Sequence, residues 1–342
     1  MSDDQLPSNR ATGAFERRLA RTLATLVPAD APLIVACSGG ADSTAALVAT
    51  SRARGNRGSP VIAAHFDHGL RGSEEATLDR LAVETVAAKL DRPVESGAAS
   101  EGAPVKHSEA TAREHRYRWL GDVCADVGVS YCVTGHTLDD QAETVLLRLT
   151  RGTGVSGASA MDTLSPWPVA CERDSLSLVR PLLEARRSET REYVTALGLE
   201  ARDDPTNDSL VFDRNRVRHR VMPELRELNP NVDQALSRFA DLARRDDEAL
   251  EQWAEQEAGQ LLRVGAGVAA LDRRRLLDLP VALASRLLRR AAGRVRLSLD
   301  ASQVEALLQI AGRRGARVSL TGGEGVVADE ELQIRRRLRK KS

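Results

Sequence analysis

The string S-G-G-A-D-S at residues 38–43 constrains the fold of this chain more than any other feature. It follows the apolar run LIVAC at 33–37 and precedes an alanine-rich stretch with helical character. Two adjacent glycines let the backbone come close to an anion, and amide groups at a helix N-terminus attract negative charge. A strand, a tight glycine turn and a helix in this order predict a site that holds the phosphates of a nucleotide.

The polar members of this string indicate which ligand the loop holds. Serine hydroxyl groups can donate to phosphate oxygens, whereas the bare carboxylate of Asp42 would repel them. Asp42 fits such a site if it binds Mg²⁺, which bridges phosphate groups in nucleotide sites. A Walker A loop needs a lysine after its last glycine, and the first lysine of this chain is Lys89. The string therefore predicts an ATP and Mg²⁺ site of another type.

Short apolar runs alternate with longer helical patterns through the first half of the chain. Strands are predicted at 33–37, 61–66, 93–98 and 130–134, with helices from 44 onward and at 74–90, 109–125 and 138–149. This alternation is typical of βαβ units and a parallel sheet. In the second of these helices, the spacing of Leu78, Leu81, Ala82 and Val86 predicts a core-facing stripe. The expected fold class is α/β, with a Rossmann-like parallel-sheet domain.

After a Pro- and Asp-rich stretch at 203–208 the sequence changes to an almost wholly helical pattern. Helices are predicted at 232–262, 273–293 and 300–313, and a β-hairpin at 317–337 with its turn around 321–325. We therefore expect an N-terminal helical segment at 1–30, a nucleotide-binding catalytic domain at 31–220, a helical domain at 221–315, and a short hairpin with a basic tail at 316–342.

The charge of the chain is uneven, although its 49 basic and 49 acidic residues cancel. Residues 1–250 carry 31 basic and 38 acidic side chains, and residues 251–342 carry 18 and 11. A charge asymmetry of this kind indicates a polyanionic partner for the basic end.

Composition excludes several other classes of protein. A hydrophobic content of 42% supports a core, and no stretch reaches the roughly 18 apolar residues of a membrane span. The polar, acidic N-terminus does not resemble a signal peptide. Four cysteines without a C-x-x-C spacing argue against a disulfide scaffold, structural zinc and an iron–sulfur cluster. We expect a cytoplasmic protein with no membrane partner; its oligomeric state is open.

Three histidines and an aspartate follow two of the predicted strands. His65, Asp67 and His68 end the second strand, and His136 follows the fourth. Ligands of open parallel sheets bind beyond the C-terminal ends of the strands, so these side chains are expected at the crevice that holds the phosphate loop. Zinc is the competing use of these histidines, but H-x-x-H without a cysteine or a Glu-His partner is a poor zinc pattern.

Two helical motifs supply charge near the same edge of the sheet. Asp140 and Glu143 share a helix face in a first turn, where they could hold Mg²⁺ or a substrate ammonium group. Acidic residues at that position also complement the helix dipole without any ligand. Arg113 and Arg116 share another face and could clamp phosphate or stabilise developing charge, with a solvated surface as the alternative.

The glycine pattern G-T-G-V-S-G at 152–157 matches the dinucleotide fingerprint G-x-G-x-x-G. The fingerprint requires a strand before it and a helix after it. Here a predicted helix precedes it, and no helix is predicted convincingly after it. We therefore interpret the pattern as the loop at the end of the helix predicted at 138–149.

The phosphate string resembles the pyrophosphatase-loop (PP-loop) ATPases, and further strings narrow the resemblance to one branch, the tRNA(Ile)-lysidine synthetases. In chain order the strings are VACSGGADS (35–43), HFDHGLRG (65–72), AREHRY (112–117), GHTLDDQAET (135–144), RGTGVSG (151–157), RPLL (180–183), DPTN (204–207) and RNRVRH (214–219). The fourth and the last separate this branch from other PP-loop enzymes. The resemblance is specific because eight strings occur in the family's order.

The resemblance implies a two-step ligation on the wobble cytidine of a minor isoleucine tRNA with the anticodon CAU. The C2 oxygen of cytidine attacks the α-phosphate of ATP, and pyrophosphate leaves. The ε-amine of free lysine then displaces AMP at C2, which forms lysidine. The modified tRNA reads AUA in place of AUG and changes its identity from methionine to isoleucine.

The resemblance also implies roles for particular residues. ATP and Mg²⁺ would be held by Ser38, Gly39, Gly40, Ala41, Asp42, Ser43, His65, Asp67 and His68, with Asp42 as the metal ligand. Lysine or the reacting base would meet Arg113, Arg116, His136, Asp140 and Glu143. The tRNA would be contacted by Asn215, Arg216, Arg218 and His219. The basic end of the chain would add attraction to the tRNA phosphates.

Three alternatives to this reading fit the sequence less well. A PP-loop enzyme that thiolates tRNA cytidine typically uses paired cysteines, which this chain does not have in C-x-x-C spacing. An amide ligase such as an NAD⁺ or GMP synthetase would require an ammonia source and no basic helical domain. A non-enzymatic RNA-binding protein on a degenerate nucleotide fold would be expected to have lost Asp42 or the serines, and all are present.

Overall fold

The computed structural model describes residues 6–55, 59–69, 73–99, 109–171, 173, 175–202 and 212–337. The chain divides into two compact units, residues 1–241 and 242–342. The division falls inside one long helix, Val232–Leu261. The boundary placed from the sequence at 220/221 lies within the first unit.

A six-stranded sheet forms the centre of the first unit. Its strands are β1 (Leu33–Ala36), β2 (Val61–Asp67), β3 (Val94–Ala98), β4 (Tyr131–Val133), β5 (Leu164–Pro166) and β6 (Ser177–Val179). They lie in the order β3-β2-β1-β4-β6-β5, and all pairs are parallel except β5 with β6. The first four strands and their parallel arrangement confirm the sequence-based prediction, whereas β5 and β6 were not predicted.

The described helices of the first unit follow the strands in the alternation that the sequence predicts. They are α1 (Arg10–Leu26), α2 (Ala41–Arg54), α3 (Ser73–Lys89), α4 (Glu109–Asp126), α5 (Leu138–Thr150), α6 (Val155–Ala158), α7 (Arg187–Ala196), α8 (Asp213–Arg216) and α9 (Met222–Leu228). A π-helical turn, Val217–Val221, joins α8 to α9. The glycine pattern at 152–157 follows α5, as predicted, but its second half belongs to the short helix α6, which was not predicted.

Helices cover both faces of the sheet because the side chains of β1 alternate in direction. Leu33 and Val35 pack in one buried cluster with residues of α1, α2 and α7. Ile34 packs on the opposite face with residues of α4. Burial on both faces is typical of parallel strands and explains why this run of the sequence is continuously apolar.

The predicted core face of α3 is correct only in part: Val86 is buried, as predicted. Leu78 and Leu81 are exposed, whereas Val83 and Ala87 are buried. The buried stripe begins with Asp79, which lies against the core side of the helix. A prediction from hydrophobicity alone therefore chooses a face of this helix next to the one that is buried.

The second unit combines helices with an antiparallel sheet. Its elements in chain order are α10 (Val232–Leu261), β7 (Leu262–Gly265), β8 (Val268–Asp272), α11 (Arg273–Asp278), α12 (Val281–Arg294), α13 (Ala301–Ala311), β9 (Arg317–Leu320), β10 (Gly323–Ala328) and β11 (Glu331–Arg336). The strands lie in the order β7-β8-β11-β10-β9. Leucine and alanine side chains of α12, α13 and the sheet form one buried cluster.

The α/β class with a mainly helical second part is confirmed, with two differences in detail. The helix predicted at 273–293 is two helices, because Pro280 lacks an amide hydrogen and separates α11 from α12. The predicted hairpin is confirmed as β9–β10, with Gly322 at φ +79° in its turn. It belongs to a larger sheet whose strands β7 and β8 were not predicted. Within the described ranges, no helix combines the length and apolar character needed to cross a membrane.

Candidate active site

The phosphate loop, residues 38–43, connects β1 to α2. Gly39 has φ +89°, a conformation that residues with a side chain rarely adopt. Ser43 holds the loop closed, because its Oγ accepts from the amide of Ser38 (3.1 Å) and donates to the carbonyl of Gly40 (2.9 Å). Gly40 is the N-cap of α2 and has no side chain to occupy the first amide groups of the helix. These amides and the positive end of the helix dipole suit a phosphate group.

Gly135, between β4 and α5, explains how a second segment reaches the phosphate loop. A Cβ atom at this position would lie 2.6 Å from the carbonyl oxygen of Asp42 and 2.9 Å from the amide nitrogen of Ser43. Glycine is therefore the residue that lets the end of β4 pack against the first turn of α2. The structure brings the segment 134–136 to the loop, as the strand-end argument predicts.

Asp42 is held by two side chains of α7. Thr190 Oγ1 donates to Asp42 Oδ1, and Arg187 Nε donates to Asp42 Oδ2 (3.3 Å). Burial, with the nearby charge of Asp140, raises the pKa of Asp42 above its ordinary value. Neither Arg187 nor Thr190 was predicted, because their segment has the pattern of an ordinary amphipathic helix.

Asp140 and Glu143 join Asp42 in a group of three carboxylates bonded by three arginines. We call this group the carboxylate cluster; its members are Asp42, Asp140, Glu143, Arg187, Arg214 and Arg218. Asp140 Oδ1 accepts from Arg187 Nη2 (2.8 Å) and Arg214 Nη2 (3.2 Å). Glu143, 1% exposed, accepts from Arg218 Nε (2.7 Å) and Arg214 Nε (3.0 Å). Two residues of α5 predicted as site residues are thus brought together with the phosphate loop.

The arginines set the charge of Asp140. Burial by itself would raise the pKa of this carboxyl group, but Arg187 and Arg214 hold it well below its ordinary value. Thr137 adds two hydrogen bonds to Oδ2, from its amide (2.8 Å) and from its hydroxyl (2.9 Å). Asp140 is therefore a fixed negative charge, which suits it to bind a cation and makes it a poor base near neutral pH.

The string RNRVRH at 214–219 divides between the carboxylate cluster and the surface. Arg218 bonds to the carboxylates, and Asn215 is buried. Arg216 and His219 are exposed, so half of the residues predicted to contact tRNA face solvent. The π-helical turn begins within this string at Val217, and such turns occur frequently at functional sites. The preceding string, DPTN at 204–207, lies outside the described residues.

The end of β2 adds His65 to the region of the phosphate loop. Its Nδ1 lies 3.0 Å from the carbonyl oxygen of Cys37, the residue directly before the loop. Asp67, two residues further along β2, accepts a hydrogen bond from a backbone amide in the turn that follows (2.8 Å). His68 begins that turn. The rest of the same string, residues 70–72, lies outside the described residues.

A second charged group, which we call the arginine cluster, consists of Arg113, Arg116 and Arg180 around His136 and Tyr117. Arg113 Nη2 donates to Tyr117 Oη (3.0 Å). The guanidinium carbons of Arg113 and Arg116 lie 4.8 and 5.2 Å from the centre of the tyrosine ring. Cations at this distance from an aromatic ring are attracted to its face.

His136 is neutral in this setting. Burial lowers its pKa well below the ordinary value, and the three arginines lower it further against the attraction of Asp140. Its Nδ1 lies 2.8 Å from the hydroxyl oxygen of Thr134. The predicted site residues of α4 and of the β4 end therefore meet in one partly buried group.

Arg180 was not predicted as a site residue, although the string RPLL contains it. It directly follows β6, and the amide of Thr134 donates to the carbonyl of Val179 (2.9 Å), which places Arg180 next to the end of β4. The rule that selected the other strand ends would have selected Arg180 as well. It was missed because β6 is three residues long and was not recognised as a strand.

Comparisons with known proteins agree with this geometry. Residues 12–225 match the PP-loop domain family. A solved U34-tRNA thiolase from Methanococcus maripaludis aligns over 68% of this chain and 79% of its own, with a TM-score of 0.56 and 16% identity, a likeness of fold alone. The sheet, the phosphate loop and the family match define this protein as an ATP-using enzyme of the PP-loop class.

Curated relatives identify the branch. The tRNA(Ile)-lysidine synthase of Thermobifida fusca is 39% identical over 303 residues, which are 86% of this chain and 87% of that protein. That of Salinispora arenicola is 40% identical over 70% of each chain. That of Thermus thermophilus is 38% identical over 91% of this chain, which spans 57% of that protein. The chain belongs to the tRNA(Ile)-lysidine synthase family, which confirms the prediction of a PP-loop ligase in tRNA modification.

Proposed function

We propose that the protein ligates free lysine to C2 of the wobble cytidine in the CAU anticodon of a minor isoleucine tRNA. The observation that carries the proposal is the carboxylate cluster, in which Arg187 bridges Asp42 of the phosphate loop to Asp140 and Glu143. A phosphate site next to fixed carboxylates suits a reaction in which ATP activates one substrate and a cationic amine is the other.

In the first step, the C2 oxygen of cytidine attacks the α-phosphorus of ATP. A new P–O bond forms, the bond from the α-phosphorus to the bridging oxygen breaks, and pyrophosphate leaves. Gly39, Gly40 and the first amides of α2 hold the phosphates. Arg113 and Arg116 stabilise the charge that develops on the transferred group. The product of this step is a cytidine adenylated at its C2 oxygen.

In the second step, the ε-nitrogen of lysine attacks C2, the bond from C2 to the adenylate oxygen breaks, and AMP leaves. The ammonium group must first lose one proton to expose its lone pair. We assign Asp140, which stays ionised at neutral pH, to bind the ammonium group. We assign Glu143, one turn further along α5, to accept the proton after the bound ammonium group has displaced at least one of its arginine partners.

Asp42 is the residue that fits a magnesium ion. Within the described part of the chain, no group of three or more His, Cys, Asp or Glu side chains is arranged to hold a metal ion alone. Magnesium in nucleotide sites needs one or two carboxylates and takes its remaining ligands from phosphates and water. Asp42 meets this requirement when its bond to Arg187 is exchanged for the metal. The ion would neutralise charge on the phosphates.

The tRNA side of the proposal rests on exposed and basic residues. Proteins that read RNA by sequence favour unpaired loop bases, and the wobble base of an anticodon is one. We assign Arg216 and His219, which are exposed, to contacts at the edge of the site. The excess of basic residues after position 250 supplies attraction to phosphates that is independent of sequence. Conversion of the base to lysidine would change codon reading from AUG to AUA.

A labelling experiment tests the proposal. The full-length protein is incubated with ATP, Mg²⁺ and ¹⁴C-lysine, together with a transcript of the CAU-anticodon isoleucine tRNA. We expect label in this tRNA and none in initiator or elongator methionine tRNA. Label without ATP, or equal label in all three tRNAs, would reject the proposal. Pyrophosphate release that depends on tRNA but never incorporates lysine would indicate a different nucleophile.

A further inference from the structure

Arg180 is a buried cation without a paired anion among the residues that the structure describes. The residue is 6% exposed. Its Nη1 donates to the carbonyl oxygen of Asp162 (2.6 Å) and to the hydroxyl of Ser165 (3.0 Å). Arg180 forms no ion pair with a carboxylate of the described residues, whereas each arginine of the carboxylate cluster pairs with at least two. Burial of a charge is costly without a counter-ion, so this group is suited to a ligand that supplies one.

The unpaired part of Arg180 is the edge formed by Nε and Nη2. Nε is buried without a hydrogen-bonding partner among the described residues, and Nη2 donates to none of them either. The N–H groups on this edge run parallel and bind two oxygens of one carboxylate or phosphate in bidentate fashion. Because Asp162 and Ser165 fix the opposite nitrogen, the open edge is held in place before any ligand arrives.

Burial of Arg180 favours an anion at this edge. Burial is the largest cause of the lowered pKa of this residue, while Tyr117 and Asp162 raise the pKa and the charges of Arg113 and Arg148 lower it. An anion bound to the open edge would relieve the repulsion between these guanidinium groups.

The position of Arg180 in the sheet indicates which anion this is. β1, which carries the phosphate loop, and β6, which precedes Arg180, are both neighbours of β4. They are therefore about 10 Å apart at the usual spacing of paired strands. His136, at the end of β4, is affected by the charges of both Asp140 and Arg180. Asp140 is negative and Arg180 is positive. A molecule that carries an ammonium group for Asp140 and a carboxylate for Arg180 therefore matches the two charges.

We infer that Arg180 binds the carboxylate of the free amino acid through its Nε–Nη2 edge, and so determines that an amino acid is ligated in preference to a simple amine. The inference rests on the proposed function and deepens it, because it concerns the end of lysine that does not react. A phosphate of ATP is the other source of such an anion, and the experiment below distinguishes the two.

The experiment compares two substrates in two proteins. Lysine and lysinamide share the same ε-amine, but lysinamide lacks the carboxylate. Initial rates of ligation to the CAU-anticodon tRNA are measured with the unchanged full-length chain and with Arg180→Gln. We expect the KM for lysine to rise about 30-fold with kcat changed less than about threefold, since a charge-assisted bidentate pair is lost. The KM for lysinamide should be high in the unchanged chain and the same in the variant.

Two further variants keep the test decisive. Arg173→Gln is the matched control, because Arg173 also donates to neutral acceptors, the carbonyl of Gly128 and the hydroxyl of Ser130. It should leave both KM values unchanged. Arg180→Lys keeps the charge and loses the bidentate edge, so we expect the KM for lysine to rise about fivefold and that for lysinamide to stay constant. If Arg180→Gln does not fold, the KM values of Arg180→Lys for lysine and lysinamide test the inference.

Three outcomes would overturn the inference. Equal increases in KM for lysine and lysinamide would show that Arg180 only supports the loop at 162–165. A raised KM for ATP, with slower release of pyrophosphate in the absence of lysine, would assign the edge to a phosphate. Lysine and lysinamide used equally well by the unchanged chain would remove the carboxylate from recognition. A chain that ligates lysine to no tRNA would instead contradict the proposed function.

Discussion

The two charged clusters of the site differ in how their charges are balanced. In the carboxylate cluster, three carboxylates and three arginines neutralise one another, and Asp140 and Glu143 each accept from all three arginines. In the arginine cluster, three guanidinium groups surround a tyrosine and a neutral histidine. The first cluster is therefore complete without a ligand, and a cation enters it only by exchange. The second contains three cations and no carboxylate among its members, and the open edge of Arg180 suits it to bind an anion.

Loss of Asp42 should have the largest effect, because it separates the carboxylate cluster from the phosphate loop. We expect Asp42→Asn to slow release of pyrophosphate about 1000-fold, since it removes both the metal ligand and the acceptor for Arg187. Binding of tRNA, measured by filter retention, should be unchanged. Asp126→Asn, on the exposed end of α4, is the control. Normal turnover by Asp42→Asn would exclude the metal role.

Gly135 tests whether the two clusters must stay close to the loop. A methyl group in Gly135→Ala would press on the backbone of Asp42 and displace the first turn of α2. We expect kcat/KM for ATP to fall about 100-fold, the scale of an ångström-sized misplacement of reacting groups. Gly154→Ala is the matched control, because a Cβ there meets no atom within 4 Å and its φ is −83°. Equal activity of the two variants would refute the close-packing argument.

Glu143→Gln tests how far the stability of the protein depends on the paired charges of the carboxylate cluster. The substitution leaves Arg214 and Arg218 buried with less negative charge to pair with. We expect the free energy of unfolding to fall by about 3 kcal/mol in urea titrations. Glu114→Gln breaks an exposed pair with Arg118, where the side chains are 53% and 52% exposed, and should cost less than about 0.5 kcal/mol. Similar losses of unfolding free energy in both variants would mean that the buried pairs of the carboxylate cluster stabilise the protein no more than an exposed pair does.

A pH titration of stability probes the arginine cluster. The pKa of His136 is lowered in the folded state, so the unfolded chain binds a proton that the folded chain does not. Stability is therefore fully present above the ordinary histidine pKa of about 6.5 and is lost as the pH falls below it, by up to about 1.4 kcal/mol per pH unit from this residue. His136→Gln should flatten the profile between about pH 6.5 and 5, and His115→Gln serves as its control. Parallel profiles for the His136 variant and the unchanged chain would contradict a neutral His136.

The sequence predicts those parts of the site that lie next to strong local patterns. The phosphate loop follows an unmistakable apolar strand, and His65 and His136 follow strands that the alternation of apolar runs reveals. Arg187 and Thr190 could not be predicted in this way, because their contacts with Asp42 join residues about 150 positions apart. The bonds of Arg218 to the carboxylates could not be predicted for the same physical reason: a basic tract looks solvated until its carboxylate partners are placed beside it.

The second unit shows a different limit of prediction. Its helices have a clear 3.6-residue period, but β7 and β8 are four and five residues long and lie between helices. β7 pairs with β8, and β8 pairs with β11, more than fifty residues away, so these strands are stabilised by pairing and not by their own pattern. The break at Pro280 was accessible from the sequence, since proline rarely continues a helix.

The carboxylates of the carboxylate cluster are already paired with arginines, and this pairing affects how the substrates bind. A lysine ammonium can bind Asp140 and Glu143 only if at least one guanidinium leaves them, and a displaced guanidinium needs a new anion. The phosphates of ATP, at the adjacent loop, are such an anion. Occupancy of the two substrate sites should therefore be linked with positive cooperativity, and the linkage is reciprocal: each ligand raises the affinity for the other by the same factor. Calorimetric titration of lysine with and without a non-hydrolysable ATP analogue would measure this factor.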